Sequence, residues 1–98
     1  MTITSFLDLR ILADRVADAP KILADTLADT RAFDGCLGVD VLVDVADPRH
    51  FVAVERWQSI EHDDAYREWR TTDAGRSELG TIVSEPPVLT RLSTAPQS

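Results

Sequence analysis

Between Cys36 and Val45 the odd-numbered positions are Leu37, Val39, Val41, Val43 and Val45. A period of two over that length lines one side of an extended chain with branched apolar groups, which reads as a β-strand with a buried face. Asp47-Pro48-Arg49 then turns the chain, because Pro pre-sets its own φ and has no N–H to give to a ladder. His50 to Arg56 reads as the returning strand, with Phe51, Ala53 and Glu55 alternating against Val52, Val54 and Arg56. Both sides of that strand are partly apolar, so both are expected to be covered.

The flanking segments fit round this hairpin. Ile3, Ser5, Leu7, Leu9 and Ile11 alternate with Thr4, Phe6, Asp8 and Arg10, which reads as a first strand. Asp18-Ala19-Pro20 has the form of a helix start, with Asp as N-cap and Pro in the first turn. Helical spacing of Leu23, Leu27 and Thr30 then runs to about Phe33. Asp34-Gly35 closes that helix, since Gly supplies the positive φ that a helix end usually needs. Ser59 is the next N-cap candidate. His62 stands three residues on, where a capping box would need Glu or Gln. A second helix is expected to about Arg70, and a shorter helical piece over 73–84, interrupted by Gly75 and Gly80. Pro86-Pro87 stops it, Val88 to Leu92 is a last short strand, and the tail 94–98 is expected to fray.

Strand, helix, strand, strand, helix, strand is the split βαβ order of ferredoxin-like α+β folds. Its antiparallel sheet carries both helices on one face, which leaves the other face open. The second face of the first strand carries Phe6, and the two faces of the hairpin differ little in apolarity, so a partner is expected over the open face. At 98 residues the chain makes one domain, with a core of about residues 3–93 and a thin stability margin of its own.

Charge narrows the partners. The net charge is -7, from 17 acidic and 10 basic residues, and Lys21 is the only lysine. Phosphate backbones and anionic membrane surfaces repel such a chain, so neither nucleic acid nor membrane is an expected partner. Cys36 is the only cysteine and the two histidines have no ligand spacing, so no metal site is expected. Met1 to Ser5 lacks a signal-peptide pattern and no run is long enough to span a bilayer, which makes the cytoplasm the expected location.

Four short segments resemble one family. Phe33-Asp34-Gly35-Cys36-Leu37-Gly38 is similar to the G-C-L segment between first helix and second strand of antibiotic biosynthesis monooxygenase domains. Asp47-Pro48-Arg49-His50-Phe51-Val52 resembles their hairpin turn, and Glu55-Arg56-Trp57-Gln58-Ser59 their E-x-W-x-S junction. Pro86-Pro87-Val88 resembles the start of their last strand. The resemblance implies a dimeric α+β barrel in which two sheets face each other, with a cavity between sheet and helices in each protomer. It also implies a cofactor-independent monooxygenase acting on a small aromatic substrate, a quinol or polyketide-like ring. The alternative is a non-catalytic small-molecule-binding or accessory domain on the same scaffold. Family members of the anthrone-oxidising and haem-cleaving types use an asparagine, and this chain has none. Leu79 stands ten residues after Trp69, where the haem-cleaving type has an iron-ligating histidine, so haem cleavage is not expected.

His62, Tyr66 and Trp69 fall at i, i+4 and i+7, on one stripe of the second helix. Tyr66 and His62 are the candidate catalytic residues. A phenol or imidazole could take a phenolic proton, and the resulting phenolate could give an electron to O₂. Trp57, Trp69, Arg70 and Phe6 are the candidate substrate-binding residues, the rings for stacking and Arg70 for an acidic group. Against this stands the plainer reading, in which the aromatic stripe is core, His62 is a surface residue among Glu61, Asp63 and Asp64, and Trp57 plugs the barrel end. His50 is expected to be exposed beside its turn, and Cys36 to be a small buried hydrophobe.

Overall fold

The computed structural model describes residues 1–95. Part of the expected frayed tail, residues 96–98, lies outside the described residues. Four strands form one antiparallel sheet in the order β2-β3-β1-β4. They are β1 Ile3–Arg10, β2 Cys36–Asp44, β3 Asp47–Trp57 and β4 Val88–Ser93. Two helices, α1 Ala19–Ala32 and α2 Ile60–Arg70, pack on one face. This is the ferredoxin-like α+β fold.

Register decides which side chains meet the helices. Leu7 pairs with Ala53 and Ser5 with Glu55 across the β1–β3 ladder. That fixes Ile3, Ser5, Leu7, Leu9, Phe51, Ala53, Glu55 and Trp57 on the helix side. The neighbouring positions Phe6, Val52 and Val54 lie on the open side. Of β2's apolar row only Val39 is buried, because β2 is an edge strand and its register shifts between Cys36 and Gly38. The shift leaves Leu37 opposite no residue and largely exposed.

Two apolar clusters hold the layers together. Leu9, Ile11, Ala19, Ile22, Leu23 and Ile82 pack under α1. Ile3, Trp57 and Tyr66 pack under α2, with Phe33, Cys36, Ile60 and Trp69 around them. The start of α1 falls where the sequence places it, with Pro20 in its first turn, but the Asp18 side chain makes no cap bond and binds Arg15 instead. Ser59 does cap α2, accepting from the His62 N–H at 3.2 Å. Gly35 has φ 87°, and a Cβ there would run into the His62 ring. That close approach lets the Gln58 N–H reach the Gly35 carbonyl at 2.8 Å.

Three expectations need correction, and one element was not expected at all. Ala13–Asp18 is a 3₁₀ helix that no apolar periodicity announced. The helical piece over 73–84 shrinks to a 3₁₀ turn at Glu78–Thr81, since 71–77 is a loop folded back on α2. His50 is not free beside its turn. Its Nδ1 meets Asp44 at 3.0 Å and its Nε2 meets Asp8 at 2.7 Å, so both ring nitrogens face carboxylates and its pKa is raised. Cys36 is half-buried, and burial pushes its thiol up.

The open face carries Phe6, Leu42, Val88 and Leu92, all exposed, with Val52 and Val54 half-buried among them. Ion pairs edge it: Arg56–Asp40 at 3.0 Å and Arg10–Asp47 at 3.1 Å. These strand charges are thus paired within one chain.

Candidate functional site

The two clusters do not meet. Between them, sheet and helices enclose a cavity of about 310 Å³. Its floor is Leu7, Leu9 and Ala53, its α1 wall Leu23, Thr26 and Leu27, and its α2 wall Tyr66, Arg67 and Arg70. Gly75 to Gly80 and Pro87 surround its mouth. A small side chain, Ala53, leaves room on its floor. The cavity falls at the lower end of the size range of small-molecule sites and is mainly apolar, as such sites are.

Tyr66 forms one end. Its ring packs on Trp57 at 5.0 Å and Phe33 at 5.3 Å, with Trp69 at 6.2 Å. Its hydroxyl is 2.6 Å from the Thr30 hydroxyl and accepts from Arg70 Nε at 2.7 Å. Burial raises its pKa above the usual phenol value, so it is a neutral phenol near pH 7. Arg70 also donates to the carbonyls of Thr26 and Gly75 and to the Thr30 hydroxyl. Gly75 is required there, because a Cβ would collide with the Trp69 carbonyl.

Glu55 forms the other polar feature of the wall. It is 1% exposed and lies on β3 between Ala53 and Trp57. Its Oε1 accepts from Trp57 Nε1 at 3.1 Å and from Arg67 Nη2 at 2.5 Å. Burial lifts its carboxyl above the ordinary glutamate value, against the pull of Arg67. Behind it Asp63, fully buried, pairs with Arg67 Nε at 2.9 Å in a geometry too bent for a hydrogen bond. Ser5 donates to Asp63 Oδ2 at 2.7 Å, and Arg91 on β4 stands 3.6 Å from the same oxygen.

The structure brings only some of the expected site residues to this cavity. Tyr66 and Arg70 line it. Arg70 has its donors taken up by the protein, which leaves little for an acidic ligand group. Trp57 is fully buried beneath Tyr66, and Trp69 packs against Phe33 on the outer side of α2. His62 sits at the start of α2, its Nδ1 2.7 Å from Ser59 Oγ, over Gly35 and away from the cavity. Phe6 is on the opposite face of the sheet. Glu55 and Arg67 were missed, although an acidic residue in β3's helix-facing row was a visible signal. Among the described residues no cluster of His, Cys, Asp and Glu could hold a metal ion, and no helix is long and apolar enough to cross a membrane.

The family model for antibiotic biosynthesis monooxygenase matches residues 3–76. Three solved structures are alike in fold. Rv0793 from Mycobacterium tuberculosis has a TM-score of 0.78 at 21% identity, covering 100% of this chain and 99% of its own. A structure described as an antibiotic biosynthesis monooxygenase has a TM-score of 0.80 at 18% identity, covering 96% and 99%. A conserved protein from Methanosarcina mazei Go1 has a TM-score of 0.80 at 12% identity, covering 97% and 94%. No curated protein sequence matches the chain.

Proposed function

Because the chain belongs to the antibiotic biosynthesis monooxygenase family, we propose that it is a cofactor-independent monooxygenase of the cytoplasm that oxidises a small aromatic substrate, a quinol or polyketide-like ring. The observation that carries this reading is the 310 Å³ cavity between sheet and helices, mainly apolar, with Thr26, Glu55, Tyr66, Ser77 and the arginines as its polar groups. Leu7, Leu9, Leu23, Leu27 and Leu79 suit the faces of a ring. Tyr66, its hydroxyl held in place by Arg70, is the polar group on the α2 wall that a substrate oxygen meets. Trp57 and Trp69 act behind Tyr66, fixing its ring rather than touching substrate. An imidazole as far off as His62 has no part in the proton transfer under this arrangement. The same reading pairs the open sheet face with a second copy, because Phe6, Leu42, Val88 and Leu92 are otherwise left in water.

Oxygen uptake with simple hydroquinones and anthrones tests it. Wild-type protein should consume O₂ with at least one of them. Tyr66→Phe keeps the ring and removes the hydroxyl, and should lower kcat/KM by roughly 10–100-fold. No uptake with any substrate by folded dimeric protein contradicts the reading. The second reading is a binding or accessory domain. One observation favours it: the Tyr66 hydroxyl and the Arg70 donors are already engaged inside the protein. A ring that binds and is recovered unchanged establishes that alternative.

A further inference from the structure

We propose that Glu55 is the proton acceptor of this cavity, and that the cavity therefore selects uncharged ring ligands bearing a weakly acidic hydroxyl. This rests on the reading of the cavity as a ligand site and adds the feature its ligand must carry.

Both donors that reach the Glu55 carboxyl, Trp57 Nε1 and Arg67 Nη2, go to Oε1. Oε2 receives no hydrogen bond from the described residues. Among the described residues, the buried side-chain atoms without a partner are Asp63 Oδ1 and Arg67 Nε; Oε2 is not one of them and is open to the cavity that Glu55 lines. A ligand hydroxyl in the cavity satisfies it. The other titratable groups nearby are occupied. The Tyr66 hydroxyl is held by Thr30 and Arg70. Asp63 accepts from Ser5 at Oδ2 and is ion-paired with Arg67, and it lies behind Glu55, outside the cavity lining.

The charges that face Glu55 set the ligand's own charge. From α2 they are Arg67 and Asp63, and from β4 Arg91, which stands against Asp63 and Asp64. The nearest neutral titratable groups are Tyr66 on α2 and Cys36 on β2. α1 turns Leu23, Thr26 and Leu27 to the cavity. Arg70 spends its donors on Tyr66, Thr26, Thr30 and Gly75, and Arg76 at the mouth is exposed and paired with Asp73. An anionic ligand would meet the carboxylate with no uncommitted guanidinium beside it. A neutral hydroxyl meets an acceptor.

In the step itself Oε2 takes the proton as the ligand O–H bond breaks. The bonding pair stays on the ligand oxygen, and the products are a phenolate or enolate and a neutral Glu55 carboxylic acid. Nothing is oxidised or reduced in it. Burial helps, because a carboxyl lifted above its ordinary range lies closer to the hydroxyl in proton affinity.

The test compares 1,4-dihydroxynaphthalene with its dimethyl ether, read without air by quenching of tryptophan fluorescence, in wild type and in Glu55→Gln. The glutamine keeps an oxygen for Trp57 and Arg67 and cannot take the proton. Wild type should bind the hydroxyl compound about 10-fold or more tightly than the ether at pH 8. That preference should shrink as pH falls and Glu55 protonates, and it should be absent in Glu55→Gln. The wild-type pH dependence stands alone if the variant does not fold. An equal preference at all pH values, or an undiminished one in Glu55→Gln, overturns the proposal while leaving the cavity as a ligand site. If neither compound binds wild type, the cavity reading fails and the proposal with it.

Discussion

Arg67→Met should destabilise the protein by about 3–5 kcal/mol at pH 7, as expected when one partner of a buried ion pair is removed. Arg67 lies between Glu55 and Asp63, which are 1% and 0% exposed. Methionine fills similar space, leaves Glu55 without its cation and leaves Asp63 with only the longer Arg91 contact at 3.6 Å. Against the roughly 5–15 kcal/mol that holds a domain together, that loss brings the chain close to unfolding. The pH dependence follows from the direction of the Glu55 shift. Its folded pKa already lies above the ordinary glutamate value because of burial. A group raised in this way contributes stability that is complete below its unfolded pKa and lost as pH rises through the folded one. Without Arg67 the shift grows, so urea denaturation of the variant should show it recovering stability as pH falls from 7 toward the ordinary glutamate range. Arg91→Ala is the control. Its short contact is with the exposed Asp64 and its contact with buried Asp63 is longer, 3.6 Å, so its loss should cost less than that of Arg67. A variant as stable as wild type at pH 7 would mean that the Glu55–Arg67–Asp63 chain is not the buried network described.

Val54→Asp should abolish self-association. Val54 is at the centre of the open face, paired with Phe6 on β1 and Asp40 on β2. A carboxylate there would be desolvated against the partner sheet and would stand near Asp40. The weakening should be on the order of 100-fold or more, typical of a charge placed in an interface core. Sedimentation equilibrium at micromolar concentration should give a dimer for wild type and a monomer for the variant. The helix-side residues are untouched, so the variant's secondary structure should persist. A wild-type monomer, or a variant that stays dimeric, removes the open face from any role in assembly.

The four strands and both helices were legible because their apolar residues follow simple periods, although in β2 only Val39 is buried and β4 is exposed throughout. β3 shows why the faces were legible too, since Ala53, Glu55 and Trp57 are buried while Val52 and Val54 are only half so. Less regular pieces were hidden. Nothing in Ala13–Asp18 forms an apolar stripe, and the loop at 71–77 is set by Arg70 reaching the Gly75 carbonyl, a contact between a helix and the loop after it.

The site was half legible for a reason that lies in the geometry of α2. Residues on a helix are spaced about 100° apart, so Tyr66 has two shoulders. His62 and Trp69 lie on one, and Asp63, Arg67 and Arg70 on the other. The aromatic shoulder drew attention as the chemical one. In the fold it packs toward Phe33 and Gly35, and the charged shoulder faces the cavity. Only packing against β3 decides between them. Glu55, an acid inside an apolar row and bonded to the Trp57 indole, marked the charged side.

The place of ligand binding is what the functional reading depends on most. Amide spectra of ¹⁵N-labelled wild type, titrated with 1,4-dihydroxynaphthalene under nitrogen, locate it residue by residue. Shifts centred on Leu27, Ala53, Tyr66 and Leu79 are the expected result, with His62 and the open-face residues Phe6, Val54 and Leu92 unmoved. Shifts centred on the open face or on His62 would contradict it and move the site out of the cavity.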